Sequence, residues 1–169
     1  MVEMHLVAVR VELPTNTPVV LLQESGGSER TLPIFVGTPE ATAIAYALQG
    51  VTTPRPMTHD LIRDLLLATE VDVTSIVLTE LRGSTYYAEI HLTRGGIAYT
   101  VSSRPSDALA VAARMGTPIY ADDDLIDSEG VMLAVDEDDD TSGEDPEELV
   151  SQFREFINDV SPDDFSPGQ

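Results

Sequence analysis

The sequence specifies an α+β protein. Three alternating, strand-like runs are followed by two helix-like segments, this set recurs once, and single helices never alternate with single strands. The expected architecture is a duplicated β-β-β-α-α repeat forming one curled, barrel-like, mostly antiparallel sheet flanked by helices, since curling leaves few strand edges exposed.

The first pass runs through Met4–Leu13, Pro18–Glu24 and Arg30–Val36, broken by the turn signals Pro14-Thr15-Asn16 and Gly26-Gly27. Thr38-Pro39-Glu40 then supplies a capping residue, a proline at the first helical position and an acid in the first turn. It opens an alanine-rich helix that ends near Gly50. A second helix spans Thr58 to about Glu70. The second pass repeats the order: strands near Asp72–Leu81, Thr85–Thr93 and Ile97–Ser102, a helix over Pro105–Met115 and a shorter one near Asp123. Sequence echoes follow the same order. Val-Glu-Leu at 11–13 answers Thr-Glu-Leu at 79–81, Gly26-Gly27 answers Gly95-Gly96, Pro39 answers Pro105, and His59-Asp60-Leu61-Ile62 answers Asp123-Asp124-Leu125-Ile126. Their offsets of 68, 69, 66 and 64 drift as changes in loop length would make them.

At 169 residues there is room for one domain and an appendage. The expected domain is 1–135, with repeats at about 1–70 and 71–135. It is followed by an acidic linker over 136–145, an amphipathic helix over 146–160 and a tail over 161–169. The linker is a like-charge block that repels itself and stays solvated. In the helix, Leu149, Phe153, Phe156, Ile157 and Val160 fall on one stripe. The net charge of −21 is concentrated at this end: residues 1–120 hold 12 acids and 8 bases, residues 121–169 hold 18 acids and 1 base. With no cysteine, disulfides, thiolate metal sites and cysteine nucleophiles are excluded. No apolar run approaches the ~20 residues of a membrane span, and the alternating start lacks the plan of a secretory signal, so the expected location is the cytoplasm.

Residues with chemical potential gather at helix starts, where unpaired N–H groups and the helix dipole favour anions. One turn reads Arg55-Pro56-Met57-Thr58-His59-Asp60-Leu61, another Ser102-Ser103-Arg104-Pro105-Ser106-Asp107-Ala108, and Glu40 holds the corresponding place in the first helix. Phosphodiester hydrolysis requires neutralised phosphoryl oxygens, an activated nucleophile and a protonated leaving group. Arg55 and Arg104 suit bidentate phosphate binding, with hydroxyls from Thr58 and Ser106 beside them. Glu40, Asp60 and Asp107 suit a hard divalent cation such as Mg²⁺ or Mn²⁺. His59 suits general acid–base work, with Asp60 and Asp107 as its acidic companions. The same residues also serve as caps and ion pairs: Thr58 as N-cap, Asp60 as first-turn acid, Pro105 at the first position, and Arg104 paired with Asp107. His5, His91, Tyr86 and Tyr87 lie in strand patterns and read as ordinary sheet residues, the two tyrosines also offering faces on which a base could stack.

Leu-Pro-Ile-Phe-Val-Gly-x-x-Glu-Ala at 32–41, Arg-Pro-x-Thr-His-Asp-Leu at 55–61, Tyr-Tyr-Ala at 86–88, Arg-Pro-Ser-Asp-Ala-Leu-Ala at 104–110 and Pro-Ile-Tyr at 118–120 resemble the bifunctional nuclease domain family over about residues 2–135. The resemblance implies a two-repeat, barrel-like α+β fold and an activity on both DNA and RNA, attributed to plant members. It supplies no catalytic set to carry over, so the site residues above rest on the motifs alone. The chain departs from relatives that append an acidic-basic helical module, because its own appendage is acidic, and its body offers no basic face by composition. The expected function is metal-dependent hydrolysis of DNA and RNA with little sequence preference, by a homodimer. The alternative is a non-enzymatic interaction or regulatory protein whose motifs knit its halves or a dimer together, with the acidic arm engaging a partner.

Overall fold

The computed structural model describes residues 1–26 and 30–132. The acidic linker, amphipathic helix and tail expected over 136–169 lie outside the described residues. The order of elements is β1 (Val2–Glu12), β2 (Thr17–Glu24), β3 (Arg30–Phe35), α1 (Thr38–Leu48), α2 (Thr58–Ala68), β4 (Asp72–Arg82), β5 (Thr85–Arg94), β6 (Ile97–Ser103), α3 (Pro105–Met115), β7 (Ile119–Ala121), α4 (Asp123–Glu129) and β8 (Val131–Met132). The first half reads β-β-β-α-α as expected, whereas the second reads β-β-β-α-β-α-β, with β7 between its helices and β8 after them.

The alternation of β2 and β3 sets their register. Val20 pairs with Ile34 and Leu22 with Leu32, and all four are at most 2% exposed, so one face of this pair belongs to the core. Ile76 and Leu78 of β4, opposite Ile90 and Ala88 of β5, continue that face in the second half. The β5–β6 connection is a two-residue turn in which Gly95 and Gly96 have φ of 56° and 82°. Two successive positive φ values define the tight turn that matches strand twist and favours glycine.

The strand order is β6-β5-β4-β7-β1-β2-β3-β8. All pairings are antiparallel except β4 with β7, where Ile76, Val77 and Leu78 run beside Ile119, Tyr120 and Ala121. The sheet is open, with β6 and β8 as its two ends, so the expected closure toward a barrel is not reached. The joint between the halves is β7, held by β1 on one side and β4 on the other. This three-residue strand was read in sequence only as part of a motif, because three residues carry too little alternation to register as a strand.

α1 and α3 pack against each other. Their buried faces are built from small residues, Ala41 and Ala43 on α1 and Ala108, Ala110 and Ala112 on α3, which allow close approach. Ile44 and Leu109 are fully buried among them. α2 packs chiefly on α3 and buries only His59, leaving Leu61, Leu65 and Leu67 more than half exposed. No described helix is long and apolar enough to cross a membrane.

Candidate active site

Three helices begin with an acid at their third position. The N-caps are Gly37 for α1, Met57 for α2 and Arg104 for α3, which places Glu40, Asp60 and Asp107 equivalently. The caps fall one residue before the threonines expected to provide them: Thr38 and Thr58 are the first helical residues instead. At Gly37 the absent side chain matters, since a Cβ there would fall on Glu40 Oε2.

Packing then treats the three acids differently. Arg104 Nε donates to Asp107 Oδ2 at 2.6 Å and its terminal nitrogen to Asp107 Oδ1 at 2.9 Å, a two-point grip, while the same terminal nitrogen donates to Glu40 Oε1 at 2.8 Å. Arg104 therefore bridges the first turns of α1 and α3. His59 Nε2 lies 3.2 Å from Asp107 Oδ1, approaching from α2 behind it. Exposure is graded: the Arg104 side chain is 66% exposed, Asp107 31%, Glu40 16% and His59 9%. The cluster thus has an accessible cationic front and a buried imidazole back. The Arg104 guanidinium holds the Asp107 carboxyl below the usual carboxylate range, His59 adds to this, and burial opposes both. Arg104 is correspondingly held still more firmly in its charged form.

Asp60 takes no part in this cluster. Its carboxylate accepts from Arg114 Nε at 2.5 Å and from the Met57 backbone N–H at 3.0 Å, and Arg114 is itself 5% exposed. Arg114 is the main reason the Asp60 carboxyl also sits below its ordinary range. The pair fastens α2 to α3 and was not anticipated, for nothing distinguishes Arg114 in the sequence except its place on an alanine-rich helix.

Of the expected site residues, the fold brings together Glu40, His59, Arg104 and Asp107. Ser106 is buried at 8% exposure. Arg55 and Thr58 are exposed, and among the described residues no hydrogen bond or ion pair ties them to the cluster; Thr53 Oγ1 donates to the Arg55 carbonyl at 2.6 Å and shapes that turn. No group of three metal-capable side chains converges among the described residues. Tyr86 packs against the core and the Arg82 guanidinium lies over the Tyr87 ring at 5.1 Å, while His91 pairs with Glu89 at 3.1 Å on β5. A shallow groove of about 390 Å³, lined by Met4, Leu48, Ala112 and Pro118 among others, lies by the C-terminal part of α3 and holds none of the cluster.

An arginine fork above two helix-start carboxylates, backed by an imidazole, is an arrangement suited to anions and proton exchange. The sequence profile of the bifunctional nuclease domain matches residues 20–134, and the chain belongs to that family. Two uncharacterized proteins of Mycobacterium tuberculosis, from strains CDC 1551 / Oshkosh and H37Rv, are each 42% identical over 163 residues, covering 96% of this chain and 97% of their own length. The protein named bifunctional nuclease 2 in Oryza sativa subsp. japonica is 28% identical over 117 residues, which are 68% of this chain and 36% of the rice protein. Its namesake in Arabidopsis thaliana is 27% identical over 126 residues, covering 72% of this chain and 38% of its own.

Proposed function

We propose that the protein is a nuclease that hydrolyses phosphodiester bonds of DNA and RNA with little sequence preference, at the junction of α1 and α3. The observation that carries this reading is Arg104, an exposed two-point donor placed over two carboxylates at helix N-termini. Its fork matches a phosphate as well as a carboxylate, so an incoming phosphate competes for Arg104 and releases Glu40 and Asp107. Asp107 is deprotonated near neutral pH and accepts from His59 Nε2–H. Once a phosphate draws Arg104 away, the freed Asp107 oxygen takes the proton of the attacking water, and solvent at this exposed front protonates the leaving oxygen.

Glu40 and Asp107 would hold a Mg²⁺ or Mn²⁺ ion, a cation that commonly binds through one or two carboxylates, waters and the substrate phosphate. When bound, the ion supplies neutralisation of charge on the phosphoryl oxygens. Asp60, committed to Arg114, fits structural fastening better than metal ligation. Arg55 and Thr58, exposed at the start of α2, would contact flanking phosphates. The equivalent third-position placement of Glu40 and Asp107 also supports reading the two β-β-β-α-α passes as a duplicated unit whose copies meet at the site.

One observation favours the non-enzymatic alternative: the four side chains of the cluster are already paired with one another, as in a joint between halves. Cleavage of labelled single-stranded RNA and DNA, with EDTA and metal add-back, separates the readings. The nuclease requires activity with Mg²⁺ or Mn²⁺, lost with EDTA, and reduced about 100-fold or more in Asp107→Asn and Glu40→Gln at unchanged circular dichroism. A folded wild-type protein that cleaves neither polymer with either metal leaves the architectural reading.

A further inference from the structure

β6 ends the strand order, and among the described residues no strand pairs with its outer edge. Its seven residues, Ile-Ala-Tyr-Thr-Val-Ser-Ser, include no charge and no proline, and six of them are exposed. Edge strands are normally blunted by charge, proline or shortness. β8, at the other end of the order, has two described residues. One side of β6 also prolongs the helix-covered face of the sheet, since Val101 pairs with Ile90 and Ser103 with Ala88. On that side Ile97, Tyr99 and Val101 are 60%, 49% and 47% exposed. Two copies of a chain with net charge −21 repel one another, and an uncharged strand is where their contact costs least.

We propose that β6 pairs antiparallel with β6 of a second copy, and that the second copy's β5–β6 turn brings Arg94 beside Arg104. Only the functional use of Arg94 rests on the nuclease reading above. A two-fold axis perpendicular to the sheet keeps like faces together, so odd-numbered residues oppose odd-numbered ones. Full overlap of Ile97–Ser103 places the axis at Thr100. Tyr99 then faces Val101 of the second copy, and Ile97 faces Ser103, joining the two apolar rows. On the opposite side Ser102 faces Ala98 of the second copy and Glu89 lies one strand further back, so no like charges are directly opposed.

The same register positions Arg94. It pairs with Ile97 in its own hairpin, which puts it two strand spacings, about 10 Å, from Ser103 of the other copy. That is within reach of a phosphate neighbouring the one on Arg104. Arg94 is exposed, and no ion pair engages it among the described residues. A second guanidinium there suits a polymer that carries a phosphate at every nucleotide.

The test uses the absence of native cysteine. In Thr100→Cys the two thiols sit on the axis, with Cα atoms about 4.5–5.5 Å apart, inside the range a disulfide spans. In Ser102→Cys they are about 13 Å apart. Expected are a wild-type protein sedimenting at twice 18.3 kDa, a cross-linked dimer under mild oxidation from Thr100→Cys but not Ser102→Cys, and a folded monomer from Val101→Asp. A wild-type monomer at micromolar concentration, or equal cross-linking of both cysteine variants, overturns the dimer. Arg94→Ala should stay dimeric while its affinity for a labelled oligodeoxythymidine falls about tenfold, with a salt slope smaller by about 1. Unchanged affinity removes Arg94 from the site and leaves the dimer standing. If wild type binds no oligonucleotide, the nuclease reading fails and the cross-link alone judges the interface.

Discussion

Asp107 is the residue on which the cluster converges, and its ionisation has a measurable consequence. Its carboxyl is held below the usual range by Arg104 first and His59 second. A depressed folded-state value adds stability above the unfolded-chain value, near 3.9, and that stability is lost as pH falls through the lower folded value. Asp107→Asn should therefore destabilise the protein at pH 7, with the difference from wild type shrinking as pH falls from about 4 toward 2. Urea titrations across that range read it, and a pH-independent difference contradicts the assignment. Gly37 gives a second test. A methyl group added there displaces the Glu40 carboxylate toward solvent and off Arg104. Gly37→Ala should lower phosphate-polymer cleavage severalfold while changing the unfolding free energy read in urea by no more than about 1 kcal/mol; a fully active variant would separate Glu40 from the chemistry.

Among the helices, α2 depends most on polar anchoring. It buries one side chain, His59, and is fastened to α3 by His59–Asp107 and Asp60–Arg114. Because Arg114 is 5% exposed, removing its partner strands a charge in a poorly solvated place. Asp60→Ala should cost about 2–3 kcal/mol in denaturant unfolding. Hydrogen exchange should quicken over residues 58–68 more than over 105–115, since α3 contributes Leu109 and Ala110 to the core and α2 contributes nothing comparable. Equal quickening in both helices would mean that Asp60 supports the core instead of the strap. The boundaries of α3, expected at Pro105–Met115 and observed there, were legible because the N1 proline and the glycine after Met115 are local signals. The caps of α1 and α2 were misplaced by one residue, because the threonines that looked like caps make no capping bond.

Across the whole described body, the two passes of strands and helices meet only a few backbone bonds apart in the sheet, at β7. Ile119, 6% exposed and paired with both Met4 and Ile76, fixes that joint. Ile119→Ala should cost about 2–4 kcal/mol while unfolding stays a single transition; two separate transitions would show halves that fold independently. The uneven charge makes a further prediction. Residues 136–169 carry 13 acids and one arginine. If they compete with nucleic acid for Arg104, deleting them raises cleavage at low salt, and the gap from full-length protein closes as salt screens the repulsion. No change at low salt rules the competition out.

The chain's own order of residues determined its elements, their turns and the α+β class, because periodicity, proline and glycine act over a few residues. It also marked the three helix starts where chemistry could occur. What it left undecided was which of three equivalent acids share a site. Glu40 is reached by Arg104 across 64 residues and so meets Asp107, His59 reaches Asp107 across 48, and Asp60 is drawn to Arg114 across 54. Those choices follow from how α1, α2 and α3 pack on one another, and close packing of alanine faces is a property of surfaces meeting in space that no local pattern encodes.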